Sequence, residues 1–65
     1  MSKYKAIIKN ISQDKWLVDE TDGAITLNDD REYATLFLEK TDAENTIEFL
    51  NDTQKDCYTL IVLKN

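Results

Sequence analysis

The sequence predicts an α+β fold: a small antiparallel sheet, made of an N-terminal β-meander and a C-terminal strand, with one main helix packed on one face. Three observations predict it. Apolar residues alternate with polar ones near both ends of the chain, which is strand spacing. Ala43, Ile47 and Leu50 recur at helical spacing. The single glycine, Gly23, follows Asp22 between two strand-like runs, where a type I′ hairpin turn needs positive φ at both central residues.

The elements follow in order. In YKAIIK, Tyr4, Ala6 and Ile8 share one side, with Lys3, Lys5, Ile7 and Lys9 on the other. NISQD turns the chain. KWLVDE is a second strand, with Trp16 and Val18 on one face and Leu17 on the other. Asp22-Gly23 then folds AITL back as a third strand carrying Ile25 and Leu27. Asp29 with Glu32 resembles a capping box and predicts a short helical turn near 30–34. Leu36, Phe37 and Leu38 read as a short extended segment, with a helix as the alternative. Thr41 and Glu44 form a second capping box, and the main helix is predicted over about 42–52. The last strand, CYTLIVLK, has Tyr58, Leu60 and Val62 on one face and Ile61 and Leu63 on the other.

Sixty-five residues make one small α+β domain, 1–65. A chain of this size buries only about 60 % of the surface its unfolded form exposes. Cys57 is the single cysteine and histidine is absent, so neither an internal disulfide nor a zinc site is available to help. MSKYKAIIKN has lysines but no long apolar run, so no signal peptide is expected. No stretch reaches the roughly 20 apolar residues that cross a bilayer, and a lone thiol fits a reducing compartment. The expected location is the cytoplasm, with no membrane partner.

The net charge of −5 is unevenly spread. Residues 1–15 carry +3, from Lys3, Lys5, Lys9 and Lys15 against Asp14; the remaining residues carry −8. An acidic body repels phosphate, so direct nucleic-acid binding is disfavoured, whereas a basic protein surface would be attracted. A weaker reading gives Lys3, Lys5, Lys9 and Lys64 a role as a nucleic-acid or membrane stripe.

Enzyme chemistry is not expected. Without histidine the commonest general base is missing, and Cys57 has no activating neighbour in view; a buried thiol at a strand start is its expected role. There is no glycine-rich phosphate loop. Asp29-Asp30 and Asp19-Glu20-Asp22 supply carboxylates, but acids beside a helix start or in a turn serve capping, and the spacing of a calcium loop is missing. No catalytic, cofactor-binding or metal-binding residue is assigned, and no cofactor is expected.

Two surfaces are candidates for a partner. Glu44, Glu48 and Asp52 fall at i, i+4 and i+8 with no basic residue between them on that row. Like charges so placed destabilise an isolated helix by about 0.2–0.5 kcal/mol per pair. The row is either a solvated face or an acidic ridge offered to a basic surface, with Phe49 beside it as core residue or exposed anchor. The second is the sheet face away from the helix. If the helix covers Tyr4, Ala6, Ile8, Trp16, Val18, Leu60 and Val62, then Ile7, Leu17, Ile61 and Leu63 remain as a candidate homodimer or partner face. Strand twist and the stems of Lys5 and Lys9 are the alternative cover.

Trp16, the run Thr26-Leu27-Asn28-Asp29-Asp30, Ala34, Phe37, Ala43 and the strand from Tyr58 to Leu63 resemble a pattern of small acidic bacteriophage and mobile-element proteins. The resemblance covers about residues 16–63 and consists of packing positions. Many proteins of this kind are uncharacterised, and some small acidic ones are similar in size and charge to inhibitors of host enzymes or antagonists of antiviral defence, anti-CRISPR proteins among them. It therefore implies a small inhibitor of a host protein, such as a defence or nucleic-acid enzyme, working in the host cytoplasm. The alternative is a homodimeric structural or interaction protein with no inhibitory activity.

Overall fold

The computed structural model describes residues 3–19 and 24–63. Four strands, β1 (Ala6–Asn10), β2 (Lys15–Asp19), β3 (Ile25–Asn28) and β4 (Tyr58–Val62), form one antiparallel sheet in the order β3-β2-β1-β4. One helix, α1 (Lys40–Thr53), lies on the sheet and packs on β4 and β1. A 3₁₀ turn, Arg31–Tyr33, stands between β3 and α1. This is the small α+β sheet-and-helix fold that the alternation and the helical stripe predict. The predicted Asp22-Gly23 turn lies outside the described residues.

The register decides which side chains meet. Ile11–Asp14 turn the chain between β1 and β2, and Asp14 takes the left-handed φ of 57° there. Asn10 then pairs with Lys15 and Lys9 with Trp16. Alternation from these pairs puts Ile8 and Leu17 on one face. β4 brings Leu60 opposite Ile8, and β3 brings Leu27 opposite Leu17. Leu50 of α1 closes over Ile8 and Leu17, with Ile47, Phe37, Tyr58, Leu60 and Leu27 around them. Ala43 is also fully buried, so the predicted helix stripe faces the core.

The same register corrects the assignment of faces on β2. Leu17 belongs to the helix side and is 0 % exposed, whereas Trp16 and Val18 lie on the far side with Ile7. Within one strand, alternation says which residues share a face; it does not say which face meets the helix. Val62 does lie on the helix side, opposite Ala6, yet is 55 % exposed.

A second correction concerns the far side of the sheet. The β1–β2 ladder stops at Lys9 and Trp16, and residues 35–37 enter between the parting strands. Ala6 and Phe37 exchange backbone hydrogen bonds at 3.0 and 2.8 Å, and the Thr35 N–H donates to the Leu17 carbonyl at 3.0 Å. The Asp19 N–H donates to Thr35 Oγ1 at 2.7 Å. Phe37 thereby joins the core, and the chain leading into this insert lies along the far face, with Arg31 over Trp16 and Ala34 and Leu36 lining a groove with Ile7. Ile7 is only 4 % exposed as a result. Of the four residues expected to lie uncovered, Ile7 and Leu17 are enclosed, and Ile61 and Leu63 are half-buried.

The caps differ from expectation. Asp30, not Asp29, caps the 3₁₀ turn, its Oδ1 accepting from the Glu32 N–H at 2.9 Å. The Asp30 N–H is in turn held by Asn28 Oδ1 at 2.7 Å, so consecutive Asx contacts shape the turn. α1 starts at Lys40 with extended Glu39 as N-cap and no side-chain cap bond, so Thr41 and Glu44 form no capping box. The helix begins where the inserted extended segment ends, which leaves Thr41 already inside its first turn. Cys57 is exposed, not buried, because it lies just before β4.

Candidate protein-binding surface

α1 turns Ala43 and Leu50 into the core and thereby directs Glu44, Glu48, Phe49 and Asp52 to solvent. Phe49 is 57 % exposed and is therefore not a core residue. Glu48, Phe49 and Asp52 line a shallow concavity of about 290 Å³ together with Asn45. Glu44 is exposed one turn before Glu48 and does not line it. Asn45 was legible in the sequence at i−4 from Phe49, but a neutral amide carries no charge pattern to draw notice.

Among the described residues, the acids of α1 have no ion-pair partner. Among the described residues, ion pairs join Lys9 to Asp14 at 2.7 Å and Lys15 to Asp29 at 3.8 Å, and none involves Glu44, Glu48 or Asp52. The helix surface thus holds carboxylates beside a large wet aromatic ring. Chemically it can accept hydrogen bonds and ion pairs from lysine or arginine while Phe49 takes an apolar stem or ring.

The sheet face opposite the helix is less open than its sequence implies. Ile61 and Leu63 remain half-buried, and an apolar groove of about 560 Å³ runs between Ile7, Ala34, Leu36 and Leu63, with Arg31 and Glu32 at its rim. Arg31 lies over the Trp16 ring at 5.7 Å and Lys9 lies over the same ring at 5.3 Å. Leu17 is not part of this face.

The lysine stripe is divided by the fold. Lys9 is committed to Asp14 and Trp16. Lys3 and Lys5 line a different concavity with Tyr4, Leu38, Glu39 and Lys40. Lys64 lies outside the described residues. The Lys9 ammonium, by hydrogen bond and then by charge, holds the Asp14 carboxyl below its usual range.

A polar clip was not foreseen. Asn10 is fully buried; its Nδ2 donates to Asp56 Oδ2 at 2.9 Å and its Oδ1 accepts from the Gln13 N–H at 2.8 Å. Gln13 Nε2 donates to the same Asp56 oxygen at 2.7 Å. The bonds from Asn10 first, then Gln13, hold the Asp56 carboxyl below its usual range. No local pattern links residues so far apart in the chain, so sequence spacing had nothing to reveal here.

Among the described residues, no three His, Cys, Asp or Glu side chains are grouped to hold a metal ion, and no helix is long and apolar enough to cross a membrane. No protein-family model matches the chain, and comparisons with curated proteins and with solved structures return no match.

Proposed function

We propose that this chain is a small acidic protein-binding module that docks a basic surface of a partner protein through Glu48, Phe49 and Asp52, with Glu44 extending the contact. The observation that carries the reading is the exposed Phe49 set among carboxylates that have no ion-pair partner among the described residues. Aromatic anchors supply binding energy, and complementary charge steers the encounter and selects the partner. The net charge of −5 favours approach to basic partners over phosphate backbones.

The mode of action in this reading is occupation of a surface, without catalysis or cofactor. Its biological setting, inhibition of a host defence or nucleic-acid enzyme by a phage or mobile-element protein, rests on the resemblance of residues 16–63 alone.

The test is affinity capture from a host lysate with wild type, Glu48→Lys and Phe49→Ala, each checked for fold by circular dichroism. One basic protein retained by wild type, released by salt and lost with both variants is the expected result. Capture that is unchanged by Glu48→Lys overturns the reading.

A further inference from the structure

The sheet ends in two edge strands, β3 and β4, and backbone accounting separates them. The Leu63 N–H donates to the Lys5 carbonyl at 2.7 Å, and the Ile11 N–H donates to the Cys57 carbonyl at 2.8 Å. Odd-numbered residues of β4 therefore face β1, and Tyr58, Leu60 and Val62 direct their backbone groups outward. Tyr58 is closed by α1: its N–H donates to Asn51 Oδ1 at 2.9 Å, and its carbonyl accepts from Asn51 Nδ2 at 3.3 Å. The N–H and C=O of Leu60 and Val62 have no partner among the described residues.

Exposed edges are ordinarily guarded by proline, charge or a bulge. β4 has none of these. The chain lacks proline, residues 58–63 carry no charge, and five consecutive pairs with β1 run without a bulge. Val62 stands 55 % exposed beside this open edge.

We propose that β4 pairs antiparallel with β4 of a second copy of this chain, about a two-fold axis at Ile61, joining the two four-stranded sheets into one. In that register Leu60 exchanges both backbone bonds with the second copy's Val62, and Val62 does so with the second copy's Leu60. Every open group on the edge is used, and the pairing stops where Asn51 holds Tyr58. The two Ile61 side chains meet on the axis at a non-hydrogen-bonded site, where side chains approach most closely. They lie on the face of Ile7 and Leu63, so the half-buried Ile61 and Leu63 of both copies become continuous.

Charge selects β4 over β3 as the self-pairing edge. Thr35 bonds to Leu17 from the β1 side, so Ile25 and Leu27 of β3 are the residues facing outward. Asp19 pairs with Ile25 at one end of β3 and Asp29 and Asp30 follow its other end, so antiparallel self-pairing brings acid towards acid. Before β4, Lys55 stands next to Asp56, so the same operation brings no row of acids together there.

The test is sedimentation velocity of the full chain up to about 1 mM, a concentration at which even a Kd of that order gives substantial dimer, with amide exchange read at Leu60 and Val62. Dimer should grow with concentration and with salt, because salt screens repulsion between two acidic bodies. Exchange at Leu60 and Val62 should slow in step, in the wild type and without any substitution. Val62→Pro removes an outward donor that the monomer does not use, and should weaken the dimer by about tenfold or more. Ile61→Lys places like charges on the axis and should do the same. Glu48→Lys should leave the dimer unchanged, which keeps this inference separate from the proposed partner surface. A chain that stays monomeric throughout, a dimer that survives Val62→Pro, or a dimer lost with Ile25→Pro instead, overturns it.

Discussion

Asn10 and Asp56 are joined by a 2.9 Å hydrogen bond across 46 positions of sequence. With Gln13 they tie the β1–β2 turn to the segment between α1 and β4, and the Cys57 N–H adds a bond to Ser12 Oγ at 3.0 Å. A fully buried amide is costly unless paired, and here Asn10 donates and accepts at once. Asn10→Ala should therefore lower stability by about 1–3 kcal/mol, read from urea unfolding. A loss within about 0.5 kcal/mol, the range of ordinary surface substitutions, contradicts the clip.

The clip also carries a pH signature. The folded-state carboxyl of Asp56 is held below its ordinary value, so it contributes stability at and above that value and loses the contribution as pH falls through the lowered one. Asp14, beside Lys9, acts in the same direction. The difference in urea midpoint between wild type and Asp56→Asn should be largest near neutral pH and shrink on acidification below about pH 4. A difference that is constant with pH refutes this.

Leu17 and Leu63 separate the two faces of the sheet experimentally. Leu17→Ala removes a fully buried side chain of the core and should cost about 2–5 kcal/mol. Leu63→Ala, at a half-buried position, should cost markedly less. Equal losses in thermal or urea unfolding place Leu17 wrongly.

Phe49 and Leu50 give the same contrast on α1. Leu50→Ala should destabilise by about 2–5 kcal/mol, and Phe49→Ala by no more than about 0.5 kcal/mol. If Phe49→Ala unfolds the chain, its ring belongs to the core and not to a partner.

Trp16 reports on the cover of the far sheet face. It is the chain's single tryptophan, with Arg31 and Lys9 over its ring. Arg31→Ala should make its fluorescence more accessible to acrylamide and cost about 0.5–1 kcal/mol. Unchanged quenching shows that the guanidinium does not shield the ring.

Much of the candidate site was legible because it lies on one helix. Glu44, Glu48 and Asp52 share a side by spacing alone, and burying Ala43 and Leu50 sends that side to solvent. What spacing left open was Phe49, at the flank of the stripe. Packing settled it, because α1 lies on β4 and β1 and leaves the ring 57 % exposed.

Alternation and helical spacing by themselves determined the strands, the main helix and the stripe Ala43, Ile47 and Leu50, since these patterns are local to each segment. Tertiary structure alone decided that Leu17 faces the helix and Trp16 does not. That choice depends on the turn ending at Asp14, which pairs Asn10 with Lys15, and a shift of one residue would have reversed it. It also decided that residues 35–37 enter between β1 and β2, because the backbone groups of Ala6 and Leu17 needed partners there and the distant Phe37 and Thr35 supplied them.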